Sequence, residues 1–410
     1  VSSDGPKPVR IGLLGHGTVG SAFAELLAER AGAVEAATGR RPEIAGVLTR
    51  EAGDFGAILA DSDVVVELMG GTGAARDFVT DALRAGRPVV TANKQLLAQH
   101  GDELFAIARE AGVQLRFEAA VAGVIPIVRT IQESFGVTEI DKVFGIVNGT
   151  TNFILSEMAA SGAGYDEVLA RAQQLGYAEA DPSDDVSGAD AAAKMAILAR
   201  LAFHTPVTLS EVSYEGIEAI QPDDLAYAKE LGLSLKLLGV AERRDGGISV
   251  RVFPCFLYRG HPLAPIEGPF NAVMVEAPAI TEVTMSGPGA GGLQTASAVL
   301  GDVVSILAGD APVHETREEL AIVADVTSSF YLYLEVADQP GVLARVATVL
   351  GDHDVSVKSV VQRGIGDDAR LVMVVHECLE SRFAAALEAL GELGDLRAAP
   401  RSIRVIEEEF

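Results

Sequence analysis

Short β-branched apolar runs alternate with longer amphipathic stretches through the first third of the chain. Strand-like runs fall at 9–14, 43–48, 64–68, 88–91 and 114–118, and helical periodicity at 19–30, 75–85 and 96–111. Strand–helix–strand alternation at this spacing predicts βαβ units and a parallel sheet. After about residue 140 the rhythm changes. A strand is predicted at 139–147, helices near 150–160, 165–175 and 190–203, and then strands at 233–242 and 248–257. Arg244-Asp245-Gly246-Gly247 joins that pair as a hairpin turn. Strand-like runs at 272–276 and 280–285 complete an α+β unit. A helical pattern at 289–308 opens on glycines, and 324–329 reads as a linker. From 330 onward the order is strand 331–336, helix 341–350, strand 356–362, turn 364–368, strand 370–376, helix 381–393, strand 402–406. That is βαββαβ, the ferredoxin-like arrangement. The expected fold class is α/β: a Rossmann-type parallel sheet over 9–140 with a return helix at about 289–323, an α+β unit over 141–288, and the ferredoxin-like unit over 330–410.

Composition sharpens this picture. The 410 residues predict two to three domains, and 49% hydrophobic residues supply more than one core. With 32 basic and 58 acidic side chains the net charge is −26, which repels nucleic acid and anionic membrane surfaces. It does not exclude a small anion held in a local basic pocket. No apolar run of about 18 residues lacks a charge, so no membrane span is expected. Residues 1–8 are rich in Ser, Gly and Pro with no apolar core, and read as a disordered leader rather than a signal peptide. The two cysteines, Cys255 and Cys378, have no metal-ligand spacing, which suits a reducing, cytoplasmic compartment.

Gly15-His16-Gly17-Thr18-Val19-Gly20 follows an apolar strand and opens an amphipathic helix. In that context G-x-G-x-x-G points to a dinucleotide. Gly15 allows the tight turn, Gly17 admits a pyrophosphate, Gly20 permits close helix–strand packing, and the helix N-terminus attracts the anion. The second strand ends Val47-Leu48-Thr49-Arg50 without the carboxylate that would hold a ribose 2′-hydroxyl. Arg50 can accommodate a 2′-phosphate, which favours NADP, while the adjacent Glu51 leaves NAD open. The fourth strand runs into Thr91-Ala92-Asn93-Lys94, where a lysine either reaches the nicotinamide or substrate or faces solvent.

Residues 157–190 hold eight acidic side chains and one basic one, Arg171. The densest stretch, 176–185, reads as a loop from its Gly, Pro and Ser content. Clustered carboxylates suit an ammonium group or a cation, or are simply solvated. Asp190 and Lys194 stand at i and i+4, on one face of an otherwise apolar helix. That places Lys194 at the mouth of a cleft, where partial desolvation lowers a lysine pKa toward neutrality and Asp190 orients it. An ordinary helical ion pair has the same spacing.

Taken together, the glycine fingerprint, Thr91-Ala92-Asn93-Lys94, Phe117-Glu118-Ala119-Ala120-Val121-Ala122-Gly123-Val124-Ile125-Pro126, Asn148-Gly149-Thr150-Thr151-Asn152, the 176–194 segment and Gly287-Pro288-Gly289-Ala290-Gly291 resemble the homoserine dehydrogenases over nearly the whole chain. The resemblance implies interconversion of L-homoserine and L-aspartate 4-semialdehyde in threonine and methionine biosynthesis. It implies that Lys194 gives and takes the proton at the substrate oxygen, with Lys94 beside it and Asp190 in support. Glu179 would bind the substrate ammonium, Asp184 and Asp185 would complete the polar wall, and Asn148, Gly149 and Thr150 would shape the pocket. Gly15, Gly17, Thr18, Val19, Gly20, Arg50, Thr91, Lys94 and Gly291 would contact the dinucleotide. A monovalent cation, sodium, would be held by Glu118, through its carboxylate or main-chain oxygen, and by main-chain oxygens of Val121, Gly123 and Ile125. Val124 stands where the family often has glycine.

The stretch from Leu334 to Val346 resembles the opening of an ACT domain. It implies a regulatory unit for feedback by L-threonine, with Asp338, Gln339, Gly341, Val342 and Leu343 as the effector site, or else a unit that only dimerises. A homodimer or homotetramer is expected. Two other readings compete. One is another ACT-containing dehydrogenase such as the 3-phosphoglycerate type, which relies on a His/Glu pair and an arginine and carries its nucleotide fold mid-chain. The other is a non-catalytic amino-acid sensor, against which Lys94, Glu179, Asp190 and Lys194 stand.

Overall fold

The computed structural model describes residues 8–309, 319–364 and 369–406. The leader at 1–8, the turn at 364–368 and the return segment to 323 fall wholly or partly outside these residues.

The first unit alternates strand and helix: β1 (Val9–Leu14), α1 (Thr18–Thr38), β2 (Pro42–Leu48), α2 (Phe55–Ala60), β3 (Val64–Glu67), α3 (Gly73–Arg84), β4 (Val89–Thr91), α4 (Lys94–Ala111) and β5 (Leu115–Arg116). The sheet order is β2-β1-β3-β4-β5, all parallel. Burial on both faces explains why β3 and β4 read as near-continuous apolar runs, while β1 is broken only by Arg10, which pairs with Glu43 and Asp61. Two expectations move. Helix α1 continues through Gly32 to Thr38, because Ala31 and Val34 keep its buried stripe going. The strand expected at 114–118 stops at Arg116, where Glu118–Ala120 winds into a 3-10 turn.

After the one-turn α5 (Ile127–Arg129) come β6 (Lys142–Ile146), α6 (Gly149–Ser161), α7 (Tyr165–Gln174), α8 (Ser183–Val186) and α9 (Ala189–Phe203). The acidic stretch read as loop therefore contains a short helix. There follow β7 (Ser213–Tyr214), α10 (Pro222–Glu230), β8 (Leu233–Arg244), β9 (Gly247–Tyr258), β10 (Phe270–Ala277) and β11 (Thr281–Pro288). Helix α11 (Gly292–Ala308) then returns to the first unit. Its Val299, Val303 and Ile306 share one buried cluster with Phe23, Leu27 and Val34 of α1.

Helix α9 is almost wholly buried and lies on the β6–β8 face. A Cβ at Gly239 would sit 2.4 Å from Met195 Cγ, so the missing side chain is what lets the helix lie this close.

The last unit adds β12 (Ala321–Ile322), β13 (Thr327–Glu335), α12 (Val342–Asp352), β14 (Val357–Arg363), β15 (Arg370–Leu379), α13 (Glu380–Gly391) and β16 (Arg401–Ile406). Part of the expected linker at 324–329 is thus already strand. The order β16-β13-β15-β14 is that of the ferredoxin-like βαββαβ unit. Strand β16 also pairs in parallel with β9, Arg404 opposite Cys255 and Ile406 opposite Leu257. One sheet, β11-β10-β6-β8-β9-β16-β13-β15-β14, therefore runs through both units. Both cysteines are free and buried. No helix among the described residues is long and apolar enough to cross a membrane.

Candidate active site

Gly15 turns the chain out of β1 at φ +98°, its amide donating to the Leu48 carbonyl at 2.8 Å. A Cβ there would lie 2.6 Å from the Leu68 carbonyl oxygen, and one at Gly20 would lie 2.2 Å from the Gly15 oxygen. At Gly17 a Cβ would meet nothing within 4 Å, so this backbone faces open space. Thr18 and Val19 begin α1. Gly291, at φ +130°, precedes α11, and a Cβ on the next residue, Gly292, would lie 3.2 Å from Thr18. Two helix N-termini open on one corner at the carboxyl end of β1, which is where an open parallel sheet receives an anionic ligand. These residues fit a dinucleotide pyrophosphate. Arg50 is exposed in the bend after β2, a turn closed by the Glu51 and Ala52 amides donating to the Thr49 hydroxyl.

Beneath this corner lies an acid that sequence reasoning missed. Glu67, at the carboxyl end of β3, is fully buried. It accepts from the Met69 and Gly70 amides and from the Thr91 hydroxyl at 2.6 Å. Burial raises its pKa against those hydrogen bonds. Thr91 is thereby enclosed, its hydroxyl held by Glu67, and it in turn accepts from the Asn93 amide. Asn93 caps α4 and donates to the Gly71 carbonyl, fixing Lys94 at the helix start. A carboxylate closing an apolar strand was the available signal.

The second half of the site converges on Asp190, which is 6% exposed. Its Oδ1 pairs with Lys94 Nζ at 2.6 Å and its Oδ2 with Lys194 Nζ at 2.6 Å. Lys194 Nζ also donates to the Val147 carbonyl at 2.7 Å, at the end of β6. Asn148 caps α6 through Oδ1, while its Nδ2 donates to Asp185 (2.7 Å) and Asp190 (2.9 Å). Burial opposes ionisation of Asp190, but the Lys194 and Lys94 ammoniums outweigh it and hold the carboxyl below the ordinary carboxylate range. Burial would lower the Lys94 pKa, yet the Asp190 carboxylate raises it. Asp185 is pushed up by burial, eased by Asn148.

A cleft of about 260 Å³ opens here, lined by Lys94, Glu179, Asp181, Ser183, Asp184, Asp185 and Asp190. Five of these were singled out from sequence. Asp181 and Ser183 were not; they bond to each other, which lowers the Asp181 pKa. Thr150 bonds the Tyr177 carbonyl at 2.7 Å, tying the start of α6 to the acidic segment. The backbone of Gly149 abuts Pro269, whose carbonyl a Cβ would approach to 2.8 Å.

The Glu118 carboxylate accepts the Val128 and Arg129 amides at 2.8 and 2.9 Å, one on each oxygen. Burial and the neighbouring Asp302 push it up to about 7. Among the described residues no cluster of three His, Cys, Asp or Glu could hold a metal. Of the effector residues, Asp338, Gln339, Gly341 and Leu343 are exposed at one turn, but the Val342 side chain lies in the core of its unit and offers only backbone.

Three family models match in chain order: the homoserine dehydrogenase NAD-binding domain at 15–118, homoserine dehydrogenase at 126–304 and the ACT domain at 330–395. The homoserine dehydrogenase of Corynebacterium glutamicum is 42% identical over 97% of this chain and 95% of its own length. That of Neisseria gonorrhoeae is 39% identical over 94% and 96%. The chain belongs to the homoserine dehydrogenase family. Among solved structures, the homoserine dehydrogenase of Thiobacillus denitrificans has a TM-score of 0.91 at 36% identity, covering 98% of this chain and 99% of that one. A hyperthermophilic archaeal homoserine dehydrogenase in complex with NADPH has a TM-score of 0.64 at 26% identity, covering 75% of this chain and 99% of that one. The chain is thus an oxidoreductase with an NAD-binding domain and a C-terminal ACT domain.

The depressed Asp190 pKa fixes a pH dependence. The folded carboxyl binds a proton less readily than the unfolded one, so its stabilisation is present above the unfolded value of about 3.9 and is lost as pH falls through the folded value. Asp190→Asn should destabilise the fold by on the order of 3 kcal/mol at neutral pH, because two ammoniums lose their partner. In urea melts the gap to wild type should narrow below about pH 4. A gap that is constant down to acid unfolding would contradict the clamp.

Proposed function

We propose that this chain interconverts L-homoserine and L-aspartate 4-semialdehyde with NADP, serving threonine and methionine biosynthesis. The observation that carries the reading is Asp190 clamped by two lysines at the rim of an acidic cleft, one from each side of the site. When bound, the dinucleotide supplies the hydride chemistry. The chain must hold the amino acid and move one proton. An ammonium has three N–H donors; on Lys194 one goes to Asp190 and one to Val147. The third can serve the substrate oxygen. Lys194 gives this proton as the aldehyde is reduced and recovers it as the alcohol is oxidised. Asp190 stays ionised in both directions, and Lys94 adds a second positive charge beside the reacting oxygen. Glu179, Asp184 and Asp185 bind the substrate ammonium, and Asn148, Gly149 and Thr150 shape the wall.

The remaining assignments rest on the same family membership. Gly15, Gly17, Thr18, Val19, Gly20 and Gly291 hold the pyrophosphate, and the exposed Arg50 meets the 2′-phosphate. Sodium would be held by Glu118, through its carboxylate or main-chain oxygen, and by main-chain oxygens of Val121, Gly123 and Ile125. Left-handed Ala122 and Gly123 (φ +56° and +64°) support this, since strained backbone is kept where the surroundings require it. So does the neighbouring Asn271, a buried amide without a hydrogen-bond partner that abuts Gly289. L-threonine binds at the Asp338–Leu343 turn. The chain works as a homodimer or homotetramer in the cytoplasm, divided at the boundaries expected from sequence.

Lys194→Ala should lose about 10²–10⁴-fold in kcat for aspartate semialdehyde while binding NADPH as before; near wild-type turnover would sink the role of Lys194. Arg50→Asp should shift the kcat/KM ratio from NADPH toward NADH, and an unchanged ratio would leave the 2′-phosphate without its partner. Threonine should inhibit wild type more than Asp338→Ala, and sodium should raise the melting temperature above choline at equal ionic strength; equality in either comparison removes that ligand.

A further inference from the structure

We propose that Arg404, in the last strand of the ACT unit, is a positioning residue for the substrate cleft, acting through Glu215. This rests on the functional reading of that cleft and adds a residue far outside it in sequence.

Arg404 lies in β16, beside β9, with its guanidinium largely buried. Its Nε and Nη2 donate to the Glu380 carboxylate at 2.8 and 2.7 Å, and its plane lies over Phe253, 4.6 Å from the ring centroid. Glu380 is itself anchored by Arg251 of β9 at 2.6 Å and by Ser328 at 2.8 Å. The guanidinium is therefore fixed from both units before its last donor is considered. That donor, Nη1, reaches the Glu215 carboxylate at 2.7 Å. Glu215 is more than half exposed, so nothing about burial holds its side chain there. A bidentate-anchored arginine fixes a carboxylate far better than a mobile surface lysine does.

What Glu215 fixes is backbone. Its amide donates to the Val252 carbonyl at 2.8 Å, and two residues on the Ile217 amide donates to the Val186 carbonyl at 2.9 Å. The intervening Gly216 fits so tightly that a Cβ would lie 2.4 Å from the Val186 oxygen and 2.8 Å from Ser187 Cα. A Cβ at Gly188 would lie 2.9 Å from the Glu215 oxygen. The segment at 215–217 is thus pressed directly on the turn at 186–188. That turn ends the helix bearing Asp184 and Asp185, and Gly188 caps the helix bearing Asp190 and Lys194. The Gly188 amide donates back to the Asp185 carbonyl at 3.1 Å. The path from the ACT unit to the two carboxylates shared by Asn148 runs through the Arg404–Glu215 ion pair, the Glu215 backbone and the close packing of 215–217 on 186–188. A shift of β16 would move the ammonium-binding wall relative to Lys194.

The test uses the full chain with Glu215→Ala, Arg404→Met, Arg404→Lys and the Glu215→Ala/Arg404→Met double variant. Misplacing a site from a distance can cost up to about 100-fold, so each of the first two should lower kcat/KM for aspartate semialdehyde about 10-fold, mainly through KM. NADPH affinity should stay within about 2-fold, since the nucleotide corner is untouched. Arg404→Lys should recover part of the loss. The double variant should be no worse than the worse single, because both remove one contact. Hydrogen exchange supplies a readout independent of turnover: amides at 186–192 should exchange faster in Glu215→Ala, with the rest of the helix unchanged. If wild type does not reduce aspartate semialdehyde, the functional reading falls and the exchange data alone judge the strut. Wild-type kcat/KM in Glu215→Ala, multiplicative losses in the double variant, or unchanged exchange at 186–192 would each overturn it.

Discussion

A single buried carboxylate organises this molecule. Asp190 is taken out of water on an apolar helix, which costs free energy unless its charge is met. It is met twice, by Lys194 one turn along the same helix and by Lys94 at the start of α4 in the nucleotide-binding unit. Removing the carboxylate would leave two ammoniums unpaired, so this one charge ties the nucleotide-binding unit to the catalytic unit. The close approach of α9 to the sheet at Gly239 belongs to the same requirement, because it brings Lys194 within reach of the Val147 carbonyl.

The acidity of the chain takes on structure around that clamp. At the cleft, Asn148 bridges Asp185 and Asp190 and two lysines neutralise Asp190, whereas Glu118 and Asp302 sit buried, Glu118 pushed up to about 7 by burial and by Asp302, and Asp302 up to about 6 by burial. The first group borders an open cleft. The second is eased by any nearby positive charge, and Arg129 supplies only part of it.

Local patterns in the sequence reached far into this arrangement. The glycine fingerprint, the βαβ alternation and the Asp190–Lys194 pair were legible because each depends on spacings of a few residues. Lys94 was marked by its place at the end of the fourth strand and Glu179 by family resemblance, and they do line one cleft. What escaped was long-range. Glu67 holds Thr91 from 24 residues away, and Arg404 meets Glu215 across 189; no periodicity encodes either. The linker at 324–329 misled for a related reason. Thr327–Glu335 becomes strand only because β15 and β16 are there to pair with it, and polar residues at its start carry little strand signal of their own.

The joined sheet also bears on how the chain is made. Strand β9 is synthesised early, but the edge it offers to β16 is covered only by residues 404–406, after the rest of the ACT unit has emerged. Until then residues 255–257 of β9 present an unpaired, apolar edge, the kind that invites wrong partners during folding, although β7 and β12 pair with 251–252 and 247–248. Residues 255–257 of β9 therefore wait on β16 for their backbone partners, and the joined sheet is completed only when the ACT unit docks.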